Sequence, residues 1–262
     1  MMTFNSKERD DRIQAGENAA NAVIRQMSNA GNEIDSSLTD TVKAAIIAAF
    51  ATGSIKKFES ATKPVFKKLE TNINNIISSK GKKIENIAKK YNDFQGAIPY
   101  NQNIPDKRDD NISEKISVCV LFLQKQIRDY TAAAMGGGKN AEYAINEYLQ
   151  NKNKPYKGAL IISNMEKGIK VEQPEGRGNY KSAYSEFRRM SMFFLYYTYT
   201  LTNRLLWTSK RNIVGYSVTR NSAYPCEICD SLLGKIFPLS DNAVPAHPHC
   251  VCSIYPVFDR DL

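Results

Sequence analysis

Cys226, Cys229, His247, His249, Cys250 and Cys252 crowd into one short segment, which holds four of the five cysteines and both histidines of the chain. Thiolate sulfur and neutral imidazole nitrogen are the donors that zinc prefers, and a structural zinc site takes four of them in a tetrahedron. The spacing suits that use. Cys226 and Cys229 are separated by two residues, the gap of a tight knuckle that aims both sulfurs at one point. His247 and Cys250 repeat the gap, and the seventeen residues from Asp230 to Ala246 give the separation of a two-knuckle module. Cys252 is a rival for the fourth position, because it shares a face with Cys250 if that stretch is extended. The competing use is disulfide bonding. It suits a secreted protein, but Met1 to Asp11 is polar and charged with no apolar signal core, and the number of cysteines is odd. The fifth, Cys119, lies in an apolar stretch and reads as a small buried hydrophobe.

Catalytic zinc chemistry needs an open coordination position and a separate proton carrier. The Pro225-Cys226-Glu227-Ile228-Cys229 run is like half of a nucleobase deaminase signature. The other half, a histidine or cysteine two residues before a glutamate, has no counterpart, since no histidine precedes the knuckle and Val120-Leu121 follow Cys119. Two histidines flanking a glutamate, as in zinc proteases, are also missing. A nuclease with a histidine base between the knuckles is not matched either. With His247 on the metal, only His249 remains for acid–base work. A closed, structural zinc is therefore expected, with a zinc-dependent enzyme acting on nucleic acid as the alternative.

The elements that must carry this cluster are mostly helical upstream. Glu8 to Ser28 is a polar-rich helix candidate, expected to be exposed or partner-dependent. Ser36-Ser37 reads as the cap of a second helix to about Ala51, stopped by Gly53. Thr62 and Pro64 open a third, with Phe66, Leu69, Ile73, Ile76 and Ile77 on one stripe. Gly81 is expected to break it before the stripe Ile84, Ile87, Ala88, Tyr91 and Phe94. A Pro/Asn/Asp-rich connection covers 96–110. Ile112 to Tyr130 is a strong helix, apolar nearly all round at 116–123 and so expected to be central. Met135-Gly-Gly-Gly-Lys139 follows a helix and lacks the Walker spacing, so it reads as a turn, not a phosphate loop. A short helix is expected at 140–150, and a strand pair at 159–163 and 168–172. Tyr180 to Trp207 is rich in aromatics but too long and uninterrupted for a strand, which favours a buried helix. Strands are expected at 212–219, 234–237 and 250–257. The order, helices first and then strands with metal, is that of an α+β protein.

The chain has 262 residues, a formal net charge of +9, 42% hydrophobic and 24% charged residues, which is ordinary for a chain with a sizeable core. Its longest apolar run, Met190 to Leu201, falls short of the roughly 18 residues of a membrane span and is flanked by Arg188, Arg189 and Arg204. The positive charge is uneven. Lys56, Lys57, Lys63, Lys67, Lys68, Lys80, Lys82, Lys83, Lys89 and Lys90 lie between Ser54 and Tyr91, opposed only by Glu59, Glu70 and Glu85. Such a stretch is either the solvated face of helices or a patch for nucleic acid or an acidic partner. Lysine without arginine attracts phosphate but reads few bases, so DNA contact would be non-specific.

From Trp207 onward the residues resemble one family. Tyr224-Pro-Cys-Glu-Ile-Cys-Asp-Ser-Leu-Leu-Gly-Lys-Ile-Phe237, followed by Pro245-Ala-His-Pro-His-Cys-Val-Cys252, is similar to the C-terminal signature of the Mu-F-like phage minor head (head morphogenesis) proteins. Cys226, Cys229, Leu233, Gly234, Phe237, His247, Pro248, Cys250 and Cys252 fall on it in order. The family's arginine between the last two cysteines is Val251 here, and Ser185-Glu186 with Arg189 only faintly matches its upstream helix. The resemblance covers roughly Tyr180 to Val257, and the helical region over 1–110, lysine-rich from 54 to 91, is read from the residues alone. An α+β minor-head-like domain over 111–262 would follow, with its zinc module at 207–257. It implies a low-copy virion component acting in capsid assembly beside the portal, formed in the host cytoplasm. Its partners would be portal, capsid or scaffold proteins and, through the lysines, packaged DNA.

Overall fold

The computed structural model describes residues 6–93, 112–153, 182–221, 223, 225–246 and 250–261. They form helices α1 (Ser6–Ala51), α2 (Phe58–Tyr91, after a 3-10 turn at Ile55–Lys57), α3 (Ile112–Gly136), α4 (Ala141–Asn151) and α5 (Ala183–Thr208), then strands β1 (Ile213–Thr219), β2 (Ile236–Phe237) and β3 (Ser253–Phe258). The protein is thus α+β in the broad sense, mostly helical with one small antiparallel sheet. Among the described residues no helix is long and apolar enough to cross a membrane. The strand pair expected at 159–172 and the connection at 96–110 lie outside the described residues.

Two helices are longer than their local signals suggest. α1 runs without a break through Ser36-Ser37, and one face of it is covered: Ala20, Val23, Met27, Ala30, Ile34 and Leu38 are buried at three- and four-residue steps. A hydroxyl cap is worth about 1 kcal/mol, less than burying Ile34 and Leu38 on either side of it. α2 likewise begins before Pro64, because fully buried Phe58 anchors its first turn, where the Thr62 hydroxyl donates to the Phe58 carbonyl at 2.8 Å. It also passes through Gly81. Glycine costs a helix about 1 kcal/mol, which burial of Ile77, Ile84 and Ala88 outweighs. α3 buries Ile116, Cys119, Leu123 and Ile127, but Val118 and Leu121 are 43% and 65% exposed, so it is not enclosed on all sides as expected. The glycine turn ends α3 and leads to Asn140, whose side chain caps α4 by accepting from the Tyr143 N–H at 2.9 Å.

The chain clusters into two compact units, each built from separated stretches. One comprises Gly31–Ile76 and Arg108–Ser191. In it the Cys119 thiol packs 3.6 Å from the Met190 sulfur, and the Tyr130 and Tyr148 rings meet edge to face at 5.1 Å. Arg188 pairs with Asp35 at 3.5 Å.

The other unit comprises Met1–Ala30, Ile77–Lys107 and Met192–Leu262, and it holds the sheet. Its helical core is the aromatic part of α5, where Phe194, Tyr196, Tyr199 and Trp207 are fully buried. Buried polar atoms there are linked in a chain. The Trp207 indole N–H donates to Asn92, whose amide donates to Asn203 at 2.6 Å and to the Ala88 carbonyl at 2.8 Å. The sheet order is β2-β1-β3, with Ser217 opposite both Ile236 and Tyr255. Gly215 is required by this arrangement, since a Cβ there would lie 2.5 Å from the Phe237 carbonyl oxygen.

Candidate metal centre

Antiparallel pairing decides where the metal ligands meet. Thr219, the last residue of β1, faces Ser253, the first of β3. The chain leaving β1 toward Cys226 and Cys229 therefore starts at the same end of the sheet as the chain arriving through Cys250 and Cys252. Two segments some twenty residues apart are brought together by six residues of strand.

Each cysteine is held by identifiable contacts. Cys226 caps a single helical turn, Glu227–Asp230, and its sulfur accepts the Cys229 N–H at 3.4 Å. Arg220 braces this knuckle by donating to the Cys226 carbonyl at 3.4 Å and pairing with the Asp230 carboxylate. On the other side, Tyr196 of α5 donates its hydroxyl to the Cys252 carbonyl at 2.8 Å. The connection between the knuckles is tied down as well. Buried Arg204 donates to the carbonyls of Leu239 and Asp241, the Tyr216 hydroxyl donates to Asp241 and accepts from the Ala243 N–H, and Ser217 donates to the Lys235 carbonyl.

The result is that Cys229, Cys250 and Cys252, all buried, place their sulfurs within 4.8 Å of one another. The Cys229 and Cys250 sulfurs are 3.8 Å apart. Two thiolates bound to zinc at about 2.3 Å with a tetrahedral angle are separated by about 3.8 Å, so the spacing fits a shared ion. Among the described residues no disulfide links the cysteines. Packing the thiols together makes Cys229 and Cys252 hard to ionise. Burial, and then the neighbouring Cys250, push the Cys229 thiol up to about 12. Cys252 is also pushed up, chiefly by its hydrogen bond with Cys250 and then by burial. A bound divalent cation reverses this balance, because it deprotonates a coordinating thiol outright. The cluster can hold a metal ion.

Cys226 is half-buried beside Cys229 on the knuckle but is not in the three-sulfur group. His247 and His249 lie outside the described residues. Of the ten lysines of the basic stretch, Lys80 is buried and Lys89 is half-buried in an ion pair with Glu85 at 3.0 Å. The other eight are exposed, Lys56 and Lys57 on the 3-10 turn and six on α2 outside its buried positions such as Phe66, Leu69, Ile73 and Ile77. Tyr196, Arg204 and Arg220 support the site without any mark in the sequence. Their roles come from where α5 and the end of β1 lie, and no spacing rule points to them. No protein-family model, characterised protein or solved structure matches the chain.

Proposed function

We propose that this protein is a phage minor head protein of the Mu-F-like kind, a low-copy structural component that acts in capsid assembly beside the portal. One zinc ion staples its C-terminal segment. The observation that carries the reading is the convergence of Cys229, Cys250 and Cys252 at one end of the sheet. These are residues on which the resemblance rests, and their sulfur spacing suits a closed structural site. Zinc is the metal favoured by a buried thiol set in a tetrahedral frame, and its role is to hold the segment from Cys226 to Cys252 in place. Portal, capsid or scaffold proteins are the proposed partners, and the virion with the host cytoplasm during assembly is the proposed location.

Two measurements test this. Elemental analysis of protein purified without added metal is expected to give about one zinc per chain, as four-ligand structural sites do. Mass spectrometry of purified particles is expected to find the chain at low abundance beside the portal, and His249→Ala is expected to leave metal and particle incorporation intact. Absence from particles, together with turnover of nucleic acid that depends on His249, would instead establish the zinc enzyme.

A further inference from the structure

The geometry points to an all-sulfur metal shell, Cys226, Cys229, Cys250 and Cys252, that selects thiophilic divalent cations such as Zn²⁺, Cd²⁺ and Fe²⁺ and uses neither histidine as a ligand. This assignment rests on the metal-staple reading above and replaces the expectation that His247 completes the shell. Three corners are already sulfur. Cys250 and Cys252 are both buried while Val251 between them is half-exposed, the alternation of an extended segment that turns both thiols the same way. The Tyr196 hydrogen bond to the Cys252 carbonyl fixes that segment against α5, so Cys252 is placed by the fold and not by a mobile side chain alone.

The fourth corner belongs to the knuckle partner of Cys229. Cys226 lies on the same braced turn, where the Asp230 N–H donates to its carbonyl at 2.8 Å and Arg220 holds the carbonyl from outside. Its sulfur accepts the Cys229 backbone N–H at 3.4 Å, which keeps it beside its knuckle partner. Cys226 caps the single turn that carries Cys229, and the two-residue gap of such a knuckle is the one that aims both sulfurs at one ion. Tetrahedral four-sulfur shells are those of zinc and of iron, and soft thiolate donors disfavour magnesium and calcium.

The test uses full-length protein loaded with Co²⁺ and then Zn²⁺, followed through the thiolate-to-cobalt absorption. Cys252→Ser and Cys250→Ser are expected to weaken zinc retention alike, by roughly tenfold or more, and His247→Ala and His249→Ala to leave it unchanged. Alkylation of the unmodified protein, mapped by mass spectrometry, needs no variant to fold. Metal is expected to protect Cys226, Cys229, Cys250 and Cys252 together. Release of metal by His247→Ala, or full-rate alkylation of Cys252 in the loaded protein, overturns the shell but leaves the staple standing. Failure of the unmodified protein to bind any of these cations overturns both.

Discussion

At the scale of single residues, the site depends on atoms that are absent as much as on those present. Gly215 lies beside β2, and a Cβ there would meet the Phe237 carbonyl oxygen at 2.5 Å. Gly215→Ala is expected to destabilise the protein by about 1–3 kcal/mol, the usual cost of overpacking, since backbone rather than a flexible side chain must move. Denaturant unfolding measures this, and an unchanged midpoint would show that β2 is free to shift. Since β1 and β3 set the end of the sheet where the cysteines meet, the same variant is expected to loosen metal binding. Thiol spacing was legible in the sequence at this scale. The need for glycine at 215 was not, because it arises from a strand twenty residues away.

At the scale of elements, the end of the described chain is bound to the start of α1. Arg12 donates two hydrogen bonds to Asp261, at 2.8 and 2.7 Å, and its guanidinium lies 4.7 Å from the centre of the Phe258 ring. Burial alone would push the Asp261 carboxyl up, but the Phe258 N–H and Arg12 together hold it below the usual carboxylate value. A group lowered in the folded state contributes stability above its unfolded pKa, about 3.9, and loses it as pH falls through the folded value. Asp261→Asn is therefore expected to destabilise the protein near neutral pH, and the difference is expected to shrink progressively as pH falls below about 3.9. Thermal unfolding of both proteins across that range is the check, and a pH-independent difference would mean packing, not charge, holds the contact. The long helices carry a related lesson. The three- and four-residue steps in α1 and α2 were visible, yet Ser36-Ser37 and Pro64 suggested helix starts and Gly81 a break. Local signals worth about 1 kcal/mol for the cap and the glycine, and about 3 kcal/mol for the proline, gave way to burial of several apolar side chains.

At the scale of the whole molecule, a net charge of +9 and eight exposed lysines on α2 and the turn before it set what long-range electrostatics can do. Lysines attract phosphate as point charges and carry little base recognition. Any binding to double-stranded DNA is expected to be independent of sequence and to weaken steeply between about 50 and 200 mM salt, because it runs on counterion release. Filter binding or fluorescence anisotropy at graded salt tests this. Strong preference for one sequence, or affinity that barely changes with salt, would refute a phosphate-only contact. Lys80 and Lys89 are poor contributors, the first buried and the second paired with Glu85.

The amino-acid sequence by itself determined the kinds of element and their order: the helical stripes, the aromatic α5, the short strands that follow, and the pairing of cysteines two residues apart. These are properties of neighbours along the chain, set by side-chain periodicity and knuckle spacing, and they persist whatever the rest of the fold does. Only the tertiary structure decided that Cys252 joins Cys229 and Cys250, that Tyr196 and Arg220 hold the two halves, and that Ala20 and Val23 face a core. The physical reason is that ligands distant in sequence meet only through the register of β1 against β3. That register is fixed by how two strands buried along nearly their whole length pack against each other and the helices, which no local spacing contains.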